Sequence, residues 1–215
     1  MAKHLQIDFV SDVSCPWCVI GLIALEQAIA RVGDDVEVTM QFQPFELNPD
    51  MPRGGQDITE HIAEKYGATP AQSAANREAI RARGEELGFT FTMAARSRIY
   101  NTFDAHRLLH WSEEEGRQVA LKHALFAAYF TEGRDPSSHE VLVDVAIKSG
   151  LDGDRAAKIL ATGEFADEVR AREKFFVRQG INSVPAVIIN ERHLIAGGQP
   201  VDVFEQALRQ IVAED

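Results

Sequence analysis

Apolar and polar residues alternate near the start of the chain. Leu5, Ile7 and Phe9 alternate with Gln6 and Asp8, the period-two pattern of a strand with a preferred buried face. A polar turn over 11–14 leads into Cys15, Pro16, Trp17 and Cys18, after which Val19, Leu22, Ile23, Leu25 and Ile29 recur at helical spacing. Pro16 falls near the first helical position, where its missing N–H costs nothing. Gly33 and Asp34 stop that helix, and Val36, Val38, Met40 and Phe42 alternate as a second strand. Residues 1–50 therefore read as β-α-β, with two thiols at the strand-to-helix switch.

The pattern then changes. Residues 44–55 lack periodicity and hold three prolines and two glycines, the composition of a crossover. Thr69, Pro70 and Gln72 supply an N-cap, an N1 proline and a capping-box partner for a helix ending at Gly88. Further helices are expected from Thr102 to Trp111, from Ser112 (paired with Glu115) through the apolar stretch 119–130, and from Ser137 (paired with Glu140) to Gly150. A short one capped by Asp152 should follow. No strand is expected in this block.

Past residue 163 a helix carrying Phe165, Val169, Phe176 and Val177 stops at Gly180. The run Val184, Pro185, Ala186, Val187, Ile188 and Ile189 reads as a strand. Asn190 and Glu191 turn it back into a short strand at 193–195. Gly197 and Gly198 make a tight turn before a closing helix whose stripe is Val203, Phe204, Ala207, Leu208 and Ile211. Neither the N-terminal β-α-β unit nor the C-terminal pair of strands can bury a core alone. Joined, they form one mixed four-stranded sheet covered by helices. The expected fold class is α/β. Residues 1–50 and 163–215 are the two halves of one domain, and 56–162 is an all-helical insertion lying lid-like over one edge.

Composition narrows the function. Hydrophobic residues are 45% and charged residues 26% of 215, enough apolar surface for a core and too much for disorder. The net charge of −11 argues against a nucleic-acid grip built on a basic surface and against an anionic membrane surface. Residues 1–50 hold 2 basic and 8 acidic groups, which disfavours long-range attraction of anionic substrates to the dithiol. Two cysteines exclude a disulfide-dense scaffold, a four-thiolate zinc site and a self-contained iron–sulfur site. The first ten residues carry no apolar run ending in a cleavage site, and no window is read as apolar enough to span a bilayer. The expected compartment is a reducing cytoplasm.

Cys15 and Cys18 carry the chemistry. Their spacing lets two sulfurs meet on the first helical turn. Cys15, at the free N–H groups of the helix end, is the better nucleophile, and Cys18, one turn deeper, is the resolving thiol. Trp17 offers a flat apolar wall, and with Pro16 it shapes the approach. Neither intervening residue is a cation. The competing readings are two small core residues or half a zinc site, but a CxxC that follows a strand and opens a helix is a fairly specific redox signal.

The segments IDFVSDVSCPWC, FQPFELNPD, NTFDAHRLLHW and GINSVPAVIIN with its following GGQP resemble, over the whole chain, the cytoplasmic DsbA-like thioredoxin-fold family. That family is FrnE-like and related to 2-hydroxychromene-2-carboxylate isomerases. The resemblance implies a thioredoxin-like fold and thiol–disulfide oxidoreductase activity on protein or small-molecule disulfides. It makes Cys15 the nucleophile, Cys18 its buried partner, and Pro185 a cis proline packed across from them. The Val184 backbone would pair with an extended substrate. Residue by residue, a trans proline at a strand start stays open at Pro185.

The resemblance also suggests Asp8 as a buried proton relay, although its strand parity sets it opposite Ile7 and Phe9, and a structural role stays open. Asn101, His106 and Arg107 belong to the family-like helix motif. Interdomain hydrogen bonding and a substrate-facing role are both open for them, with Arg107 able to pair with an acid of the other domain. His106 and His110 share a helix face but lack further metal ligands. Phe42, Phe45, Leu47, Phe126, Tyr129 and Phe130 are core or groove residues. No metal or organic cofactor is expected, glutathione is a candidate co-substrate, and no oligomeric state is implied. The alternatives are a glutathione-dependent isomerase or transferase, whose relatives carry serine where this chain has Cys15, and a non-catalytic peptide-binding or chaperone module.

Overall fold

A computed structural model describes residues 2–52 and 54–214. Strand β1 (Lys3–Ser11) runs into helix α1 (Pro16–Val32), a 3₁₀ turn (Gly33–Asp35) and strand β2 (Val36–Pro44). The β1 and β2 strands are parallel, as a β-α-β crossover requires. Strands β5 (Ala186–Ile189) and β6 (His193–Ala196) return at the end of the chain, giving a mixed sheet ordered β2-β1-β5-β6 with β5 antiparallel to both neighbours. The β5–β6 turn places Asn190 and Glu191 at φ 51° and 56°, the left-handed pair of a tight hairpin. Asn190 also accepts the Gln6 N–H through its side chain at 3.0 Å, tying the hairpin to β1.

The sheet is covered on both faces. Leu5, Ile7 and Phe9 pack against α1 and against Phe204, Leu208 and Ile211 of α9 (Val201–Glu214). Val10 and Ala186 pack against Phe176 of α8 (Ala166–Arg178). Between the halves lie α2 (Ile58–Tyr66), α3 (Pro70–Glu86), α4 (Phe103–Glu114), α5 (Gln118–Phe126), a π-helical turn (Ala127–Thr131), α6 (His139–Lys148) and α7 (Gly153–Thr162). Thr69 and Gln72 form the expected capping box, and Asp152 caps α7. The helical segment has its own cluster around Leu108, Leu125, Leu142 and Ile159. It also sends Ile80, Phe91, Phe126, Tyr129 and Phe130 into the cluster that holds α1 and β1.

Several expectations are corrected. The α4 helix passes through Ser112, whose hydroxyl donates to the Leu109 carbonyl at 2.8 Å, so α5 starts instead at Gln118. Ser138, not Ser137, caps α6, because Ser137 is engaged by Asp135. Two short strands, β3 (Gln56–Asp57) and β4 (Arg98–Ile99), pair inside the block read as purely helical. Val177 and Val203 are exposed. Residues 16–35 are long and apolar enough to cross a membrane, with mean hydropathy 1.3, contrary to the reading that no window is. In the fold the apolar side chains of α1 are spent on the sheet and α9.

Gly84, inside α3, tests the seam between the helical segment and the sheet domain. A mid-helix Gly→Ala change ordinarily stabilises by about 0.5–1 kcal/mol. Here a Cβ would fall 2.4 Å from the Phe91 ring and 2.9 Å from the Phe89 carbonyl oxygen. Phe91 is itself in the main core, so an overpacking cost of roughly 1–3 kcal/mol outweighs the gain. Gly84→Ala is expected to lower the urea-unfolding midpoint, and a raised midpoint would show that the ring has room to yield.

Candidate active site

Cys15 is the N-cap residue of α1, with extended backbone (φ −92°, ψ 114°) and Pro16 at N1. Its N–H donates to the Asp12 carbonyl at 3.2 Å, and the Cys18 N–H donates to the Cys15 carbonyl at 3.1 Å. This winding sets the two free thiols side by side. Cys18 is fully buried, whereas Cys15 keeps a 4% exposed edge on a cleft. Burial pushes the Cys18 thiol well above its ordinary range, and the adjacent Cys15 adds to this. Lys122 and the Asp12 backbone oppose it.

The other half of the site arrives from the end of the chain. The Val184–Pro185 peptide is cis, and the Val184 carbonyl accepts from the Cys15 Sγ–H at 3.8 Å. The Gly197 N–H donates to the Pro185 carbonyl at 2.8 Å, so the end of β6 holds the proline loop. Helix α1 meets this loop at Gly21, where a Cβ would lie 3.0 Å from Pro185 Cγ and 3.2 Å from Gly198 Cα. Pro185 is buried in this contact.

Cys15, Pro16 and Trp17 form one end of a cleft of about 630 Å³. Phe45, Glu46 and Leu47 line it after β2, and Ile62 and Tyr66 of α2 and Arg77 of α3 line it as well. Asn182, Ser183 and Val184 close the side nearest the thiol. Among the described lining residues three, Lys65, Arg77 and Arg96, are cations and one, Glu46, is a carboxylate. Lys65 is anchored by the Leu47 carbonyl at 2.6 Å, and the Arg96 guanidinium lies over the rings of Tyr129 and Phe130 at 5.1 and 5.0 Å. The cleft thus carries positive charge although the chain is acidic overall.

The remaining sequence candidates separate. Asp8 is half-buried and accepts from Gln43 Nε2 at 2.6 Å. Ile7 and Phe9 face α1, so Asp8 faces the opposite side of the sheet, near Arg172, and not the dithiol. Burial raises its pKa, but it does not sit where a relay for Cys18 is needed. Arg107 is buried and donates to Asp104, to the Ile159 carbonyl and, across the boundary at 163, to the carbonyl of Glu164, whose carboxylate also feels its charge. It therefore ties the helical segment to the second half of the sheet domain and does not line the cleft. Asn101 bridges to Glu46 (3.3 Å) and the Pro49 carbonyl (3.1 Å). His106 is buried with Nε2 3.7 Å from Asp12 Oδ1, an electrostatic contact longer than a hydrogen bond. Both join the helical segment to the sheet domain. Phe45 and Leu47 line the cleft, while Phe42, Phe126, Tyr129 and Phe130 are core.

Three ionisable residues at the site escaped the sequence reading. Asp12 is fully buried and accepts the N–H groups of Ser14 (3.1 Å) and Leu47 (2.7 Å), thereby shaping the turn that presents Cys15. Its turn-forming position two residues before Ser14 was a usable signal. Burial alone would raise its pKa, but neighbouring His106 and the two N–H donors outweigh that and hold the carboxylate below its usual range. Lys122 is fully buried on the apolar stripe of α5. Glu46 shares one guanidinium, that of Arg170, with Glu173. Burial, then the Glu173 charge, raises its pKa to about 7 despite that partner.

These shifts have opposite signs in stability. The Asp12 contribution is complete above the ordinary aspartate range and is lost as pH falls through its lower folded value. Asp12→Ala orphans two N–H groups and is expected to cost about 2–4 kcal/mol near neutral pH, read from urea unfolding. Glu46 binds its proton more tightly folded than unfolded, so stability should fall as pH rises from 4.5 to about 7. In Glu46→Gln that part of the slope should vanish, and an unchanged slope would place the proton elsewhere.

Comparison with known proteins agrees with this architecture. The DSBA-like thioredoxin domain matches residues 6–209. The chain is 29% identical over 209 residues to the uncharacterized protein YwbO of Bacillus subtilis, covering 97% of this chain and 96% of that one. It is similar to the probable DsbA oxidoreductase SCO1869 of Streptomyces coelicolor, at 33% identity and TM-score 0.90, over 99% of this chain and 92% of that one. The cytosolic disulfide reductase DsbM of Pseudomonas aeruginosa, solved with GSH, shares the fold at 15% identity and TM-score 0.66, over 97% of this chain and 99% of that one. The match across nearly the whole chain makes this protein a member of the DsbA-like thioredoxin domain family.

Proposed function

We propose that this protein is a thiol–disulfide oxidoreductase whose working pair is Cys15 and Cys18. Cys15 stands on the cleft with its sulfur at the Val184 carbonyl, and a second, fully buried thiol lies directly behind it. Cys15 attacks a substrate disulfide and holds one half as a mixed disulfide. Cys18 then attacks the Cys15 sulfur and releases that half as a thiol. The Val184 backbone and Trp17 position the substrate, and Pro16 shapes the helix start. The reverse sequence transfers the disulfide outward, and the direction follows the potential of the partner couple.

The substrates are disulfides of proteins or small molecules, with a small thiol such as glutathione as co-substrate. The cleft supports this. Lys65, Arg77 and Arg96 offer counter-charges for the carboxylates of such a thiol, while the apolar wall of Ile62 and Tyr66 accommodates its body. The reading needs no metal and no organic cofactor, because the electrons move between sulfurs. It places the protein in a reducing cytoplasm, with the dithiol as its resting form.

The test is disulfide turnover coupled to a glutathione redox buffer. Wild type should cycle, and Cys15→Ser should lose at least about 10³-fold, since no other thiol reaches the cleft. Cys18→Ser should stall as a stable mixed disulfide detectable by intact mass. Full turnover in both variants would overturn the assignment. Conversion of a non-redox substrate that survives Cys18→Ala would move the protein to the isomerase class.

A further inference from the structure

Helix α5 is fastened to the edge of the sheet by Gln118. Its side-chain oxygen accepts the Phe42 N–H at 2.9 Å, and its amide donates to the Phe42 carbonyl at 3.2 Å, as a neighbouring strand would. One turn further on, the same helix face carries Lys122. Lys122 has no exposed surface, and its Nζ has no hydrogen-bond partner among the described residues. It lies over the faces of Phe42 and Phe126, at 5.6 and 4.9 Å, in the core that also holds both cysteines, and Cys18, Asp12 and Cys15 are the groups whose ionised forms favour its charge. Asp12 is occupied by Ser14, Leu47 and His106. A buried ammonium without an acceptor is costly, and one beside a buried dithiol has a chemical use.

We propose that Lys122 is the counter-charge of the dithiol: a cation supplied by the helical segment that stabilises the Cys18 thiolate as it resolves the mixed disulfide. The proposal rests on the dithiol reading above and assigns that site a component the CPWC segment lacks. In the first half-reaction the Cys15 sulfur bonds to one sulfur of R–S–S–R′, and R′–S leaves as a thiolate. In the second, Cys18 loses its proton and its sulfur bonds to Cys15. The Cys15–S–R bond breaks, and R–S leaves and is protonated. Two thiol protons end on two product thiols. The cysteine pair loses two electrons and the substrate disulfide gains them. The buried thiolate exists only in the second half-reaction, and there Lys122, whose Nζ has no hydrogen-bond acceptor among the described residues, gains an anionic neighbour. Burial lowers the Lys122 pKa to about 8, which leaves it charged at neutral pH.

The experiment separates the two half-reactions. A chromogenic aromatic disulfide is mixed rapidly with reduced protein, and the two thiol equivalents are followed in time, with intact mass identifying the mixed disulfide. Lys122→Met keeps the volume and removes the charge. Its melting temperature should not fall, because a buried unpaired cation is removed. It should release the second equivalent about tenfold or more slowly at neutral pH and slow the first by clearly less, because Cys18 is the stronger of its two sulfur partners. Tenfold corresponds to about 1.4 kcal/mol of lost thiolate stabilisation. The pH profile of the second step should move to higher pH, and Lys122→Arg, which keeps the charge, should recover most of the rate. Wild-type speed in the second step of Lys122→Met at every pH would overturn the role of Lys122 and leave the dithiol assignment intact. If wild type releases neither equivalent, both fall.

Discussion

Helix α1 lies against the 184–198 segment at backbone contact, and two glycines permit it. A Cβ on Gly21 would crowd Pro185 and Gly198, and one on Gly198 would stand 2.8 Å from the Trp17 carbonyl oxygen. Because neither side chain exists, the first turn of α1 can press on the cis Val184–Pro185 peptide, and the Cys15 sulfur reaches the Val184 carbonyl. The sheet order puts β5 beside β1, so the proline loop preceding β5 emerges next to the loop that carries the thiols. The cleft, the thiol presentation and the burial of Cys18 all follow from that approach.

Charge inside the molecule is arranged around the same point. Asp12 has its acceptors filled and organises the turn, so it is held ionised. Glu46 competes with Glu173 for one arginine and keeps a proton to higher pH. Lys122 has no hydrogen-bond acceptor among the described residues and lies against the ring faces of Phe42 and Phe126. Asp12 belongs to the turn before α1, Glu46 to the loop after β2, and Lys122 to α5 of the helical insertion, which packs against the sheet domain at Phe42. The insertion is therefore an electrostatic wall of the site as well as a steric one. The surplus of cations along the cleft also reverses, locally, what the overall charge of the chain suggests.

The main elements were legible because each carried a local signal. Alternation marked β1 and β2, Pro16 and the Thr69 box marked helix starts, and Asn190-Glu191 marked the hairpin. Where local signals misled, a tertiary or competing contact decided. Ser112 resembles a cap, but its hydroxyl turns back to Leu109 and α4 continues. Ser137 is taken by Asp135, and the cap passes to Ser138. The β3–β4 pair joins residues too far apart in sequence for periodicity to reveal it. Asp8 was suggested by the family resemblance against its strand parity, and the parity prevails: it bonds Gln43 on the face away from the thiols.

The amino-acid sequence by itself determined that two thiols stand at a strand-to-helix switch one helical turn apart, because spacing and a helix start are properties of neighbouring residues. It also determined, through its hydrophobic periods, that the ends of the chain must share a sheet. Only the tertiary structure decided what surrounds those thiols. Val184, Asp12 and Lys122 come from three separate stretches, and the environment of a buried group is set by whatever packs within a few ångströms of it. No local pattern encodes that proximity, since it arises when the apolar faces of distant elements are buried together.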